Sequence, residues 1–570
     1  MELLFNGCYP NSMSTKPTST HHRWAEGSIV YQIYPRSFYD SNSDGIGDIP
    51  GITKKLGYLE DLGVNAIWLS PFYPSPMADF GYDVADYCGV DAIFGTLDDM
   101  DELLKEAHER GIRIIVDLVP NHSSDEHEWF RQSRQSREDR YSDWYIWKDP
   151  RGHDKEGKPI PPNNWVEVLT GGPAWEWEPA RQQFYLHSFD VRQPDLNWAN
   201  PEVRDAIKDA MRFWLDKGVD GFRVDAVHFM AKDPLYRDEK PNPHYVEGRD
   251  TRYGALIHTN NHAWPQLYAY LSEMAAVLKE EKYKHGERFM ITEAYPETHN
   301  RVDEYLEFYE GMDPEVAAPF NFEGLSLPWE AKAWRDFLGT FHKALNDFNS
   351  LCVASYAFGN HDQHRMVTRM GEPIARSAAV LLLTLPGMAF IYNGEEIGMK
   401  NGNIPADMVQ DPGARGGDGR DPERTPLQWT AGENAGFSTA SRTWLPITDN
   451  YKTHNIETES KDPDSFLSLY RHLGKLRNTS ASIKHGEFEV IDTGNTYVLG
   501  YARTRGDERY IVLVNFSKKP VSLSLKPDLA LGAFVVSSDP ETMLVKTATD
   551  KVELRAHEAA VFEGVVTPKE

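Results

Sequence analysis

Apolar residues recur in two alternating rhythms along most of this chain. Residues 28–34 form a short apolar run of strand type, and residues 52–62 then place Ile52, Leu56, Leu59 and Leu62 on one helix face until Gly63 stops the pattern. Residues 64–69 read as a strand closed by Pro71. Residues 97–110 read as a helix with Thr96 as N-cap and Gly111 as its stop. Residues 112–119 are almost continuously apolar, which suits a parallel strand covered on both faces. After a break the rhythm resumes with a helix over 201–217, capped by Asn200, opened by Pro201 and ended by Gly218. Further strands are expected at 219–227, 289–294, 319–322, 352–358 and 388–392, with helical stretches between most of them.

This pattern predicts an α/β protein built on a parallel sheet of eight strands. A closed (β/α)8 barrel is the natural eight-unit solution. An open doubly wound sheet would want a glycine-rich phosphate turn after the first strand, and the sequence has none there. The break, residues 122–198, is rich in Trp, Pro, Gly and charge and is too long for a plain loop, so it reads as an inserted subdomain. The barrel then takes residues 24–121 and 199–480. Residues 481–570, with short β-type runs at 488–491, 497–502, 510–515 and 561–562, read as an all-β C-terminal domain, and residues 1–23 as a disordered tail.

Charge and cysteine content narrow the partners. The chain has a formal net charge of -27, which argues against nucleic acid and against an anionic membrane surface. Its three cysteines, Cys8, Cys88 and Cys352, show no metal-type spacing and point to a reducing, cytoplasmic setting. No apolar run is long enough to span a bilayer, and the first residues lack the form of a signal peptide. Monomer and dimer both stay open.

Three expected strands end in a carboxylate: Asp225 after Gly221-Phe222-Arg223-Val224, Glu293 after Ile291-Thr292, and Asp362 after Phe358-Gly359-Asn360-His361. Taken singly, each could be a paired or capping residue. Together at one barrel rim they suit glycoside hydrolysis, which needs a nucleophile and a proton carrier. Arg223 lies two residues before Asp225, on the same strand face, and should keep it ionised. Glu293 has no cation within three residues, so burial should raise its pKa. Separately, Asp40, Asn42, Asp44 and Asp48, with the Ile46 carbonyl, repeat oxygen ligands at alternate positions around Gly45. This matches the first part of a calcium loop, with Gly51 where the closing Glu would stand, and predicts a structural Ca²⁺ or Mg²⁺; the alternative is a self-capped Asx turn. No organic cofactor is expected.

The segments Asp117 to His122, Gly221 to His228, Glu293, Phe358 to Asp362, Gln193-Pro194-Asp195-Leu196-Asn197 and Gly419-Arg420-Asp421-Pro422-Glu423-Arg424-Thr425-Pro426 resemble the α-amylase superfamily, glycoside hydrolase family 13, in its α-glucosidase and oligo-1,6-glucosidase branch. The resemblance runs from Trp24 onward. It implies a (β/α)8 barrel with a domain inserted after strand three and a C-terminal β-sandwich. It further implies Asp225 as nucleophile, Glu293 as acid/base and Asp362 as transition-state stabiliser, with Asp79, Tyr82, His122, Phe189, Arg223, His361 and Arg424 around a terminal glucose. In relatives the positions of Asp79 and Arg424 pair to close the pocket floor, which implies an exo-acting, retaining α-glucosidase of short oligosaccharides, with transglucosylation. Ala226, where α-1,6-preferring relatives usually carry Val, tilts the expectation to maltose-type α-1,4 bonds. Leu169-Thr170 stand where many relatives carry an aromatic residue. An isomerase of the trehalose-synthase type shares the same triad and is the alternative.

Overall fold

Eight short parallel strands, buried at every position but Arg113, hold the chain together: β1 (Ile29–Ile33), β2 (Ala66–Leu69), β3 (Arg113–Leu118), β4 (Gly221–Val224), β5 (Phe289–Thr292), β6 (Ala317–Pro319), β7 (Ser355–Ala357) and β8 (Met388–Tyr392). The structure is a computed structural model and describes residues 23–296, 302–414, 419–524, 530–541 and 551–565. The strands follow one another in order round the sheet, and β1 pairs with both β2 and β8, so the sheet closes on itself as a (β/α)8 barrel. Its seam lies between β6 and β7. There the Ser355 hydroxyl donates to the Pro319 carbonyl (2.9 Å) and accepts from the Asn321 amide (3.0 Å), a side-chain stitch in place of ladder bonds.

Most elements form where the pattern placed them. The Leu97–Glu109 helix opens on a capping box between Thr96 and Asp99, and Pro201–Lys217 ends on Gly218 at φ 109°. Two expectations shift. The helix over 52–62 is two helices, Ile49–Lys54 and Leu56–Leu62, the first capped by Asp48. They break at Lys55, whose ammonium sits 4.1 Å from the ring centres of both Tyr39 and Trp429. The sixth strand ends at Pro319 instead of starting there. Phe320 and Phe322, which suggested a strand, are buried core residues just beyond the ladder. The proposed tail lies almost wholly outside the described residues.

Between β3 and β4 the chain builds a small antiparallel sheet from Trp147–Lys148, Gln183–Leu186 and Trp175–Glu178, packed around Ile146, Trp165 and Phe184. The C-terminal part is a five-stranded antiparallel sheet facing a two-stranded one. Along Val498–Arg505, Val498 and Ala502 point into the core shared by the two sheets, while Leu499 and Tyr501 join the barrel's core.

The barrel's lower rim is locked by one acid. Asp220, just before β4, accepts from His108 (2.7 Å), the Ile114 amide (3.0 Å), Arg113 (3.0 Å) and Arg288 (2.7 Å), tying β3, β4 and β5. Burial opposes its charge, but the bonds from His108 and Ile114 and the charges of His108 and Arg288 outweigh it and lower its pKa. A depressed folded pKa gives stability that is present above the unfolded value, about 3.9, and is lost as pH falls below it. Asp220→Asn should cost roughly 2 kcal/mol in denaturant unfolding near neutral pH, less than a fully buried pair because Arg113 and His108 are partly solvated. The gap to wild type should shrink below about pH 4. A gap that stays constant with pH would remove Asp220 as the source.

Candidate active site

Sheet register assembles the acids. Asp117 of β3 lies opposite Arg223 of β4, and Arg223 lies opposite Ile291 of β5. Just past the strand ends, the Asp225 amide still donates to the Leu118 carbonyl and the Glu293 amide to the Val224 carbonyl, both at 2.8 Å. Each acid is thus fixed at its backbone to the neighbouring strand. Arg223, 1 % exposed, then reaches all three carboxylates. One terminal nitrogen donates to Asp117 (2.9 Å) and Asp225 (2.5 Å), and the other meets Glu293 Oε2 at 2.8 Å. The Ala226 amide donates to the same Glu293 oxygen at 2.9 Å, and the Tyr295 hydroxyl to Oε1 at 3.2 Å.

This arrangement corrects the electrostatic expectation. Glu293 does have a cation, supplied across the sheet and invisible to a search along the chain. Asp225 is not held ionised by a private arginine. Burial pushes its carboxyl well up, Arg223 opposes this, and the charges of Glu293 and Asp117 push it further. Burial also raises Asp117 to about 6, against the pull of Arg223. Burial works against the guanidinium as well, but the surrounding acids outweigh it and keep Arg223 charged. Asp117 and Asp225, flanking one guanidinium, do not titrate independently of their neighbours.

Asp362 stands on the loop after β7 in a second charge cluster. Its Oδ1 accepts from Arg424 (2.7 Å) and Arg420 (3.3 Å), and Oδ2 lies 3.3 Å from His361. These groups overcome burial and hold the carboxyl far below the usual range. Asp79 pairs with Arg420 at 2.6 Å, and Arg420 also binds Asp411 at 2.7 Å. The expected partner of Asp79 was Arg424. The two arginines flank the short helix Asp421–Glu423, and Arg424 turns inward, fully buried, onto the His361 carbonyl and Asp362.

A cavity of about 430 Å³ opens between these clusters. Asp79, Tyr82, His122, Phe189, Asp225, Glu293 and Asp362 line it. Arg223, His361 and Arg424 do not; they stand behind the wall and hold residues that do. His361 stacks on Tyr82 (5.4 Å, 3°), lies 2.7 Å from its hydroxyl, and is pushed down to about 3 by burial. His122, pushed down to about 4 by burial, lies 5.0 Å from the Phe189 ring. Gln193 Nε2 sits 3.2 Å from both His122 and Asp79. Sequence reasoning missed Arg420 as a wall residue, although two arginines four apart in one motif were a usable signal. It also missed Phe229, Tyr253, His262 and Tyr295. The stretch that carries Tyr253 and His262 shows no helical or strand period that would have marked it.

The Asp40–Asp48 loop offers only oxygen donors, the set a hard cation takes. Here those oxygens turn onto the loop's own amides. Asp40 accepts from Asn42, Ser43 and Gly45 at 3.0, 2.7 and 2.8 Å; Asp44 from Ile46 at 2.8 Å; and Asp48 from Ser41 and Gly51 at 2.9 and 2.6 Å. Among the described residues no three His, Cys, Asp or Glu side chains are grouped to hold a metal.

Residues 32–486 match the family model "Alpha amylase, catalytic domain", and residues 488–561 match "Maltogenic Amylase, C-terminal domain". The chain is 39% identical to a salivary alpha-glucosidase of Aedes aegypti, over 88% of this chain and 87% of that one. It is 37% identical to an oligo-1,6-glucosidase of Parageobacillus thermoglucosidasius, over 95% of this chain and 99% of the relative. The solved structure of an alpha-glucosyl transfer enzyme superposes with a TM-score of 0.84 at 35% identity, covering 95% of this chain and 100% of the other.

The acid cluster has a signature in stability. Asp117 binds its proton more tightly folded, near pH 6, than unfolded, near 3.9. Its contribution is therefore full below about pH 4 and is given up as pH rises to about 6. Wild-type stability should slope downward across that window, and Asp117→Asn should flatten the slope, whatever constant offset the lost Arg223 bond adds. Melting temperature against pH for both proteins measures it; equal slopes would exclude a shared proton at Asp117.

Proposed function

The chain belongs to the α-amylase family of glycoside hydrolases, and we propose that it acts as a retaining, exo-acting α-glucosidase. It releases the terminal non-reducing α-linked glucose from disaccharides and short oligosaccharides, with maltose-type α-1,4 bonds favoured. The observation that carries this reading is the shape of the charge around the cavity. Two carboxylates, Asp225 and Glu293, share the two ends of one guanidinium, which favours the short separation of a retaining pair, about 5–5.5 Å. Across the cavity the Asp79–Arg420–Asp362 chain of ion pairs offers a polar wall for the hydroxyls of one terminal sugar.

Each acid has one oxygen tied to Arg223; of the other two, Glu293 Oε1 accepts a longer bond from the Tyr295 hydroxyl, at 3.2 Å. Asp225 Oδ1 is held by Arg223; with a proton on Glu293, one of the charges that push Asp225 up is gone, and its ionised Oδ2 attacks the anomeric carbon. Glu293 Oε2 is held by Arg223 and the Ala226 amide, so Oε1 carries the proton to the departing glycosidic oxygen. The bond to the leaving group breaks as the Asp225–glucosyl ester forms. Glu293, now ionised, takes a proton from water, which attacks the anomeric carbon; the bond from that carbon to Asp225 breaks, freeing glucose and the Asp225 carboxylate. A sugar hydroxyl in place of water gives transglucosylation. Asp362, ionised throughout, stabilises the positive charge that develops on the sugar ring. Tyr82, fixed by His361, offers its face to the glucose.

We assign a structural Ca²⁺ or Mg²⁺ to the Asp40–Asp48 loop on its oxygen-only donor set. A cytoplasmic setting is supported by the unpaired Cys88 and Cys352. Among the described residues no helix is long and apolar enough to cross a membrane.

Asp225→Ala should lower kcat on maltose by about 10⁴-fold or more while the melting temperature holds; near-normal turnover would refute the nucleophile. Asp79→Ala and Arg420→Ala should each raise KM at least tenfold, because the first removes a carboxylate that lines the cavity and the second leaves buried Asp79 without its cation, and an unchanged KM in both would count against the closed wall. Product analysis on maltose, isomaltose, sucrose and trehalose should give free glucose from maltose. A disaccharide isomer as main product would favour the isomerase alternative. EDTA should lower melting temperature more than it lowers activity at room temperature, and no shift would remove the metal.

A further inference from the structure

A second cavity, about 440 Å³ and as large as the catalytic one, opens at the opposite end of the barrel. Gly27 before β1, Val353 and Ala354 before β7, and Gly387 before β8 form its floor, and Lys484 and Arg503 come from the C-terminal side. Nothing in the proposed reaction uses it.

Its charge is unbalanced. Arg503 is fully buried, donates to the Thr384 and Gly486 carbonyls (2.9 and 3.0 Å), and leaves Nε without a partner. Behind the floor Arg477 is also fully buried and bonds only carbonyls, those of Gly27, Leu383, Leu385 and Gly387. Neither guanidinium meets a carboxylate among the described residues. The half-buried Lys484 ammonium likewise has neither a carboxylate nor a hydrogen-bond acceptor among them. Of the acids at the rim, Glu26 is taken by Arg23 at 2.9 Å, and Glu487 is exposed to solvent. His342 is hydrogen-bonded to the Tyr356 hydroxyl at 2.7 Å and stays neutral, pushed down to about 3 by burial. In a chain of net charge -27, this is a local surplus of cations, and unpaired buried charge is costly.

The geometry points to an anion site. A phosphate group, free or carried on a monosaccharide, meets the Lys484 ammonium with the two guanidinium charges behind it, and the cavity has room for a sugar ring. Bound there, it bridges the barrel base and the C-terminal sheet and acts as a stabilising ligand remote from catalysis.

Thermal melting of the full chain against inorganic phosphate, with potassium chloride at matched ionic strength, tests this. The expected result is a saturable rise of a few degrees with phosphate, absent with chloride and lost in Lys484→Met, whose maltose hydrolysis stays within twofold of wild type. Glucose 6-phosphate in a parallel titration separates the sources: saturation at lower concentration than phosphate means the sugar is read, and equal concentrations mean phosphate alone is. No saturable rise with either ligand, or an equal rise in Lys484→Met, would overturn the site. So would competition between either ligand and maltose, which would move binding to the catalytic cavity.

Discussion

One buried guanidinium organises the upper rim of the barrel. Arg223 sits where β3, β4 and β5 meet in register, and its two terminal nitrogens meet Asp117, Asp225 and Glu293. Three carboxylates this close would repel one another strongly in a low-dielectric site. The cation makes the cluster tolerable without neutralising it, so the site retains a surplus of negative charge that protons or a developing cation must balance. A glycosyl transition state brings such a cation. The same interaction also orients: Arg223 occupies one oxygen of Asp225 and one of Glu293, and so distinguishes the two oxygens of each acid in the proposed reaction.

A second pair of arginines completes the pocket by a different principle. Arg420 and Arg424 arrive on a loop after β8, far in sequence from Asp79 and Asp362, and pin both. Where Arg223 is shared among acids whose charge is to change, these two hold acids whose charge must stay fixed. The contrast appears in the direction of the pKa shifts, with Asp225 pushed up mainly by burial and Asp362 pulled far down by His361 and the two arginines. Two environments thus give chemically identical side chains opposite duties.

The strand-end position of Asp225, Glu293 and Asp362 was legible because an acid closing an apolar run is rare and the βα rhythm places all such ends on one rim. The eight strands were legible for the same reason, since burial on both faces leaves a continuous apolar signature. What stayed hidden depends on neighbours across the sheet or on loops without period. The cation beside Glu293 is 70 positions away along the chain yet adjacent in register. The motif around Arg420 announced an arginine for the pocket but not which of two, because the choice rests on how one short helical turn points their side chains. The inserted region was read as a subdomain but its sheet was not, since two-residue strands such as Trp147–Lys148 carry no measurable alternation.

The residue after Asp225, the proposed nucleophile, shows how tightly backbone and chemistry are joined. Ala226 sits in the left-handed region at φ 45°, ψ 37°, a conformation that costs a non-glycine residue roughly 1–2 kcal/mol. The turn gains from this strain: it lets the Ala226 amide donate to Glu293 Oε2 at 2.9 Å, so the peptide following one catalytic acid fixes the other. A β-branched residue here would be harder to hold at positive φ and would pull on that amide as well as crowd the cavity that Ala226 lines. Substitution at 226 therefore cannot act on bond preference alone. It must also shift the oxygen of Glu293 that Arg223 and the amide hold between them, so specificity and proton transfer are coupled at this position.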